Sequence, residues 1–161
     1  MEAYRQALEN NPSLIAGKTV VDVGCGTGIL SMFAARGGAA RVVGVEASAA
    51  MAGIARANVS ANALGERVRV VHARAEALTA DDLPAGGADV LVSEWMGYAL
   101  LFEAMLDAVL LVRDRFLRPG GAILPDLLAV HAAGAGRRGG RAGLLARRLR
   151  LPHAGRGGQG G

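Results

Sequence analysis

A glycine-rich turn near the start of the chain constrains its fold more than any other feature. The apolar, β-branched run Thr19–Val23 is typical of a fully buried parallel strand. Three glycines follow at alternate positions, Gly24, Gly26 and Gly28, and a helical pattern begins directly after them. A strand that passes through such a turn into a helix presents backbone N–H groups to a nucleotide-like ligand, and glycine lets that ligand approach without a Cβ in the way. The turn therefore predicts a ligand site in an α/β fold.

The residues around this turn alternate between strand-like and helix-like segments. Strands are predicted at 19–23, 41–45, 68–72, 88–93 and 122–124, helices at 2–10, 29–36, about 48–62 and 100–116, and a turn at 119–121. Asn11-Pro12 is predicted to end the first helix. This alternation predicts a doubly wound, mostly parallel sheet with right-handed crossovers, in one domain over residues 1–132. Ligands in such sheets bind beyond the carboxyl ends of the strands, where we expect the site.

Two glutamates at strand ends are candidates for binding an adenosine. Glu46 ends the second strand, 18 residues after Gly28, and an acid there can accept both ribose hydroxyls. Glu76 follows the third strand and is a candidate acceptor for the adenine amino group. For each, the alternative is a solvated surface carboxylate, and the strand-end position favours the ligand role more clearly for Glu46.

The stretch 93–105 is the most specific in the chain, because it combines the single tryptophan, Trp95, with two glutamates. Glu94 and Glu103 lie nine residues apart across a predicted strand–loop–helix junction. Two carboxylates at one pocket match the paired N–H donors of a guanidinium. The alternative is that Glu103 lies on the solvent-exposed face of its helix.

Composition limits the class of protein and the compartment. A single cysteine, Cys25, excludes an internal disulfide and an all-cysteine metal site, and favours a reducing compartment, the cytoplasm or nucleus. No apolar run reaches the ~18 residues of a membrane span, and the polar N-terminus shows no signal peptide. We therefore expect no membrane partner.

The basic charge is confined to the C-terminal residues. Residues 1–130 hold 11 Lys and Arg against 14 Asp and Glu, whereas residues 131–161 hold seven arginines and no acid. The Gly/Arg-rich segment 133–161 is predicted to be disordered, with a short basic helix at Leu144–Leu151 as a candidate exception. Its arginines are the only part of the chain from which we expect nucleic-acid contacts.

Several motifs taken together resemble those of the protein arginine N-methyltransferase family. They are G-C-G-T-G-I-L-S-M-F-A-A at 24–35, S-E-W-M-G-Y at 93–98 with its second glutamate, and R-x-x-x-L-x-P-G-G-x-x-L-P-D at 113–126. The glycine spacing differs from the dinucleotide G-x-G-x-x-G pattern, because position 29 is Ile, and is similar to the loop of S-adenosylmethionine-dependent methyltransferases. The resemblance covers roughly residues 2–132 and implies a class I, Rossmann-like methyltransferase fold.

The resemblance also implies a cofactor, S-adenosylmethionine, a set of site residues and no metal. Glu94 and Glu103 match the catalytic pair that grips the substrate arginine, and Met105 matches a methionine near the pocket of enzymes that make asymmetric dimethylarginine. The implied cofactor-binding residues are Asp22, Gly24, Cys25, Gly26, Thr27, Gly28, Leu30, Glu46, Ala47, Ala75, Glu76 and Glu94. The implied substrate-binding residues are Glu94, Trp95, Met96, Tyr98, Glu103 and Met105.

The chain departs from that family at both ends. It begins after the family's N-terminal helix with a Tyr-Phe pair, and residues from about Ala133 do not resemble the family's β-barrel, dimerisation arm or Thr-His-Trp loop. We therefore expect a partial and weakly active or inactive arginine methyltransferase, whose partners are proteins such as histones or RGG-rich proteins. A methyltransferase of another substrate class and a non-catalytic S-adenosylmethionine-binding fragment remain as alternatives.

Overall fold

The computed structural model describes residues 1–98, 105–133 and 144–151. In this part of the chain, helices alternate with strands along the sequence. The helices are α1 (Glu2–Glu9), α2 (Pro12–Ile15), α3 (Ile29–Arg36), α4 (Ala49–Ala61) and α5 (Met105–Phe116). The strands are β1 (Thr19–Val23), β2 (Arg41–Glu46), β3 (Val68–His72), β4 (Ala88–Val92), β5 (Leu117–Leu124), β6 (Leu127–Ala133) and β7 (Leu144–Arg150). Two short 3₁₀ helices, Ala75–Ala77 and Ala80–Asp82, follow β3.

Five of these strands form one parallel sheet in the order β3-β2-β1-β4-β5. The chain leaves β1 toward β2 and β3, then returns to place β4 on the other side of β1. Such a change of direction opens a crevice at the carboxyl ends of the central strands. The predicted parallel, doubly wound sheet is confirmed.

The sheet is covered on both faces, which explains why every residue of β1 is buried. Val20 belongs to a core shared with α1, α3 and α4, while Val21 and Val23 belong to a second core on the α5 side. The sheet therefore separates two apolar clusters, and its central strand contributes to each.

Gly44, in the middle of β2, lets helix α3 and the glycine turn approach the sheet closely. A Cβ at this position would lie 2.9 Å from Ser31 Oγ and 3.0 Å from Cys25 Sγ, closer than normal packing allows. Glycine inside a strand often marks such a close approach. The position of the turn over the sheet thus depends on the missing side chain of Gly44.

Several predicted bounds differ from the structure for local reasons. Pro12 follows the end of α1, as predicted, and it is also the first residue of a new helix, α2. Proline is favoured at the first position of a helix. The turn predicted at 119–121 lies within β5, where the pairing with β4 shifts register. Glycine accommodates the irregularity, since Gly120 has a φ of 79°. The predicted helix 100–116 is described from Met105 onward.

The C-terminal hairpin of β6 and β7 differs from the helix that the sequence predicts there. β7 pairs antiparallel with β6, so the basic helix predicted at Leu144–Leu151 is wrong, because the structure has a strand at Leu144–Arg150. The disorder predicted for residues 133–161 stays a prediction. Leu151 is 3% exposed in the core on the α5 side. The pairing partner lies many residues earlier, so no local pattern could indicate it. The rest of the predicted tail lies outside the described residues.

None of the helices described is long and apolar enough to cross a membrane.

Candidate functional site

A cleft lies at the carboxyl ends of β1, β2 and β3. Its volume is about 450 Å³, and strand ends, the first 3₁₀ helix and α5 form its walls. The lining residues are Val23, Gly24, Val45, Glu46, Ala47, Ala73, Arg74, Ala75, Glu76, Met105 and Ala108. The structure thus brings together Gly24, Glu46 and Glu76, which come from three separate segments.

The glycine turn has the left-handed backbone that its composition indicates. Gly24, Gly26 and Gly28 have φ values of 72°, 54° and 84°. A Cβ on Gly26 would meet nothing closer than 4.0 Å, so its open face is available to a ligand. Gly28 is different, because it packs against Ala55 of α4. Gly26 therefore leaves room for a ligand, whereas Gly28 allows α4 to pack against the turn.

We expected the backbone N–H groups of the turn to face a ligand, but in the structure they donate to acceptors within the protein. The amides of Gly24 and Cys25 both donate to the Val45 carbonyl at 2.9 Å, and the amide of Gly28 donates to the Cys25 carbonyl at 2.8 Å. Gly26 N–H donates to Glu46 Oε2 at 2.9 Å. Three of these N–H groups therefore hold the turn on β2 and the fourth, that of Gly28, closes the turn on itself. All four bond within the protein rather than to a ligand, which suits a ligand without a pyrophosphate.

Glu46 is fixed by backbone at both carboxylate oxygens. Oε2 accepts from Gly26 N–H, and Oε1 accepts from Ser48 N–H at 2.8 Å. Each oxygen has a second lone pair, so the carboxylate is oriented yet still able to accept bonds from a diol. Ala47, exposed beside it, forms part of the cleft wall.

Glu76 lines the same cleft from the 3₁₀ helix after β3. Its own backbone N–H and the Arg74 guanidinium, 3.4 Å away, hold the pKa of this exposed carboxyl below its usual value. Arg115 of α5 donates to the Glu76 carbonyl at 3.1 Å. No local sequence pattern indicates this contact of Arg115, since 39 residues separate the two groups.

Asp22 lies beneath the turn and is fully buried. Its Oδ2 accepts a bond of 2.7 Å from the Ser31 hydroxyl, while Oδ1 has no hydrogen-bond partner. Burial raises the pKa of Asp22 to about 6, against the lowering effect of the Ser31 bonds, and the charge of Glu46 adds to the rise. Asp22 thus links β1 to helix α3 from inside the fold.

Four more residues predicted to bind cofactor contribute in different ways. Leu30, Ala75 and the Cys25 side chain are buried in the core, and of these three residues Ala75 lines the cleft. Burial, with the nearby charges of Asp22 and Glu46, raises the pKa of the Cys25 thiol to about 12. Thr27 is exposed, and its carbonyl accepts from the Asn58 side chain at 2.9 Å.

The end of β4 places Glu94 at the surface, and Glu94 is not among the residues that line the cleft. The Ser93 hydroxyl donates to the Val23 carbonyl at 2.7 Å, and the Tyr4 hydroxyl donates to the Ser93 carbonyl at 3.0 Å. Burial and the charges of Glu94 and Asp22 raise the pKa of Tyr4 to about 12. α1 therefore holds the strand end from which Glu94 projects, a contact that the sequence did not indicate.

The remaining predicted substrate residues are divided between core and surface. Trp95 is 2% exposed in the core on the α5 side, which favours support of the loop over contact with a substrate. Tyr98 is 84% exposed, and Met96 is half-buried near the Tyr4 hydroxyl. Met105 lines the cleft with its methyl group against Gly24. Glu103 lies outside the described residues.

A larger groove of about 580 Å³ lies at the amino ends of β2 and β3, away from all these residues. Arg41, Arg67 and Arg69 line it together with Glu66 and Asp82. Arg69 is already bonded to Asp82, and Arg67 donates to the Ala35 carbonyl. Size alone therefore does not make this groove the functional site.

Comparison with known proteins identifies the class of this chain. A family model described as a methyltransferase domain matches residues 20–121. The parallel sheet with a glycine turn after its first strand is the class I methyltransferase fold. The chain belongs to the methyltransferase-domain family, as the sequence analysis predicted.

Within that class, this chain is similar to protein arginine N-methyltransferases. The chain is 50% identical over 152 residues to the probable protein arginine N-methyltransferase 3 of Oryza sativa subsp. indica, a match that covers 86% of this chain and 24% of the relative. The structure of Arabidopsis thaliana protein arginine methyltransferase 10 has a TM-score of 0.75 and 44% identity, over 81% of this chain and 36% of that one.

A further solved structure, the Trypanosoma brucei PRMT1 enzyme-prozyme heterotetrameric complex with AdoHcy, matches with a TM-score of 0.73 and 41% identity. It covers 80% of this chain and 38% of that chain. The resemblance of this chain to the methyltransferase half of arginine methyltransferases is thereby confirmed. The chain spans about a quarter of the length of the rice relative.

Proposed function

We propose that this chain is the cofactor-binding half of a protein-arginine N-methyltransferase, which transfers a methyl group from S-adenosylmethionine to a guanidinium nitrogen of a protein arginine. The observation that carries the proposal is the cleft that joins the Gly24 turn, Glu46 and Glu76. The identity of about 50% to an arginine methyltransferase of rice supports the substrate class.

The residues of the cleft fit S-adenosylmethionine. The open face above Gly26 admits a ligand against the backbone, and the oriented Glu46 carboxylate retains lone pairs for the two ribose hydroxyls. Glu76, which lines the same cleft, would accept from the adenine amino group. Bound there, the cofactor supplies a methyl group on a positively charged sulfur, which a nitrogen lone pair can attack.

Glu94 would orient the substrate guanidinium from the end of β4. A carboxylate that accepts two N–H bonds draws positive charge toward the nitrogens it contacts, so the remaining nitrogen keeps more of its lone pair. The guanidinium is too basic for prior deprotonation, so positioning and electrostatics must provide the catalysis. Glu103 would complete the pair by the family pattern, and its role stays a prediction.

The substrates, partners and location follow from the same proposal. RGG-rich proteins and histones present exposed arginines, and the mildly acidic balance of residues 1–130 suits basic substrates. The single cysteine is buried, as suits a protein of the cytoplasm or nucleus. The basic residues after 133 are where we propose any nucleic-acid contact.

Two measurements test the proposal. Calorimetry with S-adenosylhomocysteine should detect one binding site on the 161-residue chain, and the chain should transfer label from S-adenosylmethionine weakly to an RGG peptide but not to its RGG-to-KGG counterpart. Glu94→Gln should lower the transfer rate far more than the affinity for S-adenosylhomocysteine. Binding without transfer to any peptide would favour the non-catalytic fragment, and transfer to the KGG peptide would favour another substrate class.

A further inference from the structure

Arg115 forms a link between helix α5 and the turn that carries Glu76. Its Nη1 donates to the Glu76 carbonyl at 3.1 Å, and its Nη2 donates to the Leu78 carbonyl at 2.7 Å. One guanidinium thus binds two carbonyls that flank the end of the 3₁₀ helix Ala75–Ala77. Because the planar group has its donors in a fixed arrangement, it restrains the relative orientation of both carbonyls.

The guanidinium is itself held in place. Its central carbon lies 4.8 Å from the centre of the Phe116 ring, in a cation–π arrangement. Apolar packing also joins the two elements, since Leu78 and Val112 belong to the same core. Packing of this kind is non-directional, whereas the two hydrogen bonds of Arg115 select one rotation of the turn.

The opposite end of α5 lies at the glycine turn. Met105, the first described residue of α5, has its methyl group against Gly24, and Ala108, one turn later, lines the cleft. One helix therefore contacts both Gly24 and the Glu76 turn, and so links two parts of the cleft lining.

We propose that Arg115 is a positioning residue that fixes the Glu76 turn, so that the Glu76 carboxylate is preorganised for the adenine end of the ligand. The inference rests on the proposed function for the identity of the ligand, and on the two carbonyl bonds for the restraint itself. A carboxylate on a turn without such support has several orientations, and binding must then restrict them at a cost in affinity.

The restraint can be tested without any ligand, by amide hydrogen exchange of Arg115→Met. The amides of Ala77 and Leu78 close the turn through bonds to the Arg74 and Ala75 carbonyls. We expect these two amides to exchange about fivefold faster or more in the variant, since local opening sets their rate. Unchanged exchange at both amides would overturn the proposal.

Arg118→Met is the matched control. Arg118 also donates to a carbonyl, that of Gly86, and pairs with Asp89, but it lies near the amino end of β4. This variant removes a comparable arginine without touching the Glu76 turn. It should leave the exchange of Ala77 and Leu78 unchanged, and acceleration equal to that of Arg115→Met would overturn the specific role.

The second arm measures the affinity for S-adenosylhomocysteine by calorimetry. Arg115→Met should weaken binding about fivefold, the change expected from the net loss of one hydrogen bond. In a Glu76→Gln background the same substitution should weaken binding less than about twofold, because the carboxylate it positions is gone. An equal loss in both backgrounds would overturn the proposal. A parent chain that binds no S-adenosylhomocysteine would refute the proposed function, and the exchange measurement would still decide the restraint.

Discussion

Glu46 illustrates how much of the site is decided at single residues. Its carboxylate accepts N–H bonds from Gly26 on one side and Ser48 on the other, so one side chain links the glycine turn to the start of α4. Charge-assisted bonds of this kind are stronger than neutral ones. The side chain is therefore positioned before any ligand is present.

Replacement of Glu46 by alanine should weaken the binding of S-adenosylhomocysteine by roughly 1.5–3 kcal/mol, the range for hydrogen bonds to a charged group. The physical reason is the loss of the acceptor for the ribose hydroxyls together with the support of Gly26. Calorimetry measures the effect, with Glu66→Ala in the distant groove as the control. Equal affinities for Glu46→Ala and the parent would rule out this role.

Asp22 makes stability depend on pH in a direction opposite to that of most carboxyl groups. Burial raises its pKa to about 6 in the folded state, above the roughly 3.9 of an unfolded chain. The folded protein therefore binds a proton that the unfolded chain releases between about pH 4 and pH 6. Its contribution to stability is highest below this window and falls as pH rises through it.

Asp22→Asn should remove this fall. Relative to the parent, the variant should gain up to about 3 kcal/mol in free energy of unfolding between pH 4 and pH 7, from two pKa units at 1.36 kcal/mol each. Urea unfolding at the two pH values gives the comparison, and Asp81→Asn at an exposed position controls for the loss of one charge. A constant difference between variant and parent at both pH values would contradict the prediction.

At the scale of elements, β2 and α3 lie unusually close together because Gly44 has no side chain. Ser31 of α3 occupies the space above Gly44 and bonds to Asp22 from there. The same close approach holds Cys25 of the glycine turn against the strand. The support of the turn is thus a consequence of how one strand and one helix pack.

Gly44→Ala should destabilise the fold by about 1–3 kcal/mol, because the added methyl group overpacks the contact with Ser31 and Cys25. Gly53→Ala is the matched control, since a Cβ at this helical position meets nothing within 4 Å. It should stabilise the protein by about 0.5–1 kcal/mol through the preference of helices for alanine. Urea unfolding separates the two, and a stabilising Gly44→Ala would show the packing argument to be wrong.

At the scale of the whole molecule, the C-terminal hairpin ties the end of the described chain to the main domain. Arg150 pairs with Asp126 at 3.0 Å, and the Leu151 amide donates to the Asp126 carbonyl at 2.7 Å. Leu151 fills part of the core on the α5 side, where Trp95 and Leu128 also lie. Long-range contacts therefore hold a segment whose composition favours disorder.

Amide exchange tests this arrangement. Paired amides of β6 and β7 should exchange slowly, and Leu151→Asp should release them, because an unpaired charge is costly in an apolar core. The protection of β1 should change much less, which serves as the internal control. Fast exchange of β7 in the parent chain would instead support a disordered segment from residue 134 onward.

The sequence by itself determined the features that contiguous residues encode. Local periodicity predicts the bounds of β1, α3 and β3. Short motifs predict the left-handed glycines of the turn and the methyltransferase family. Glu46 and Glu76 could be predicted at one cleft because parallel strands bring their carboxyl ends to the same edge. These inferences needed no knowledge of which side chains meet.

Only the tertiary structure decided the contacts between distant segments. Packing decides that the Val45 carbonyl accepts from the turn amides and that Asp22 Oδ1 has no partner. It also decides the hydrogen bonds of Arg115 across 37 and 39 residues and the pairing of β6 with β7. The physical reason is that a donor or a strand edge has many acceptable partners along a chain. The fold selects one of them by bringing it within hydrogen-bond distance while water is excluded.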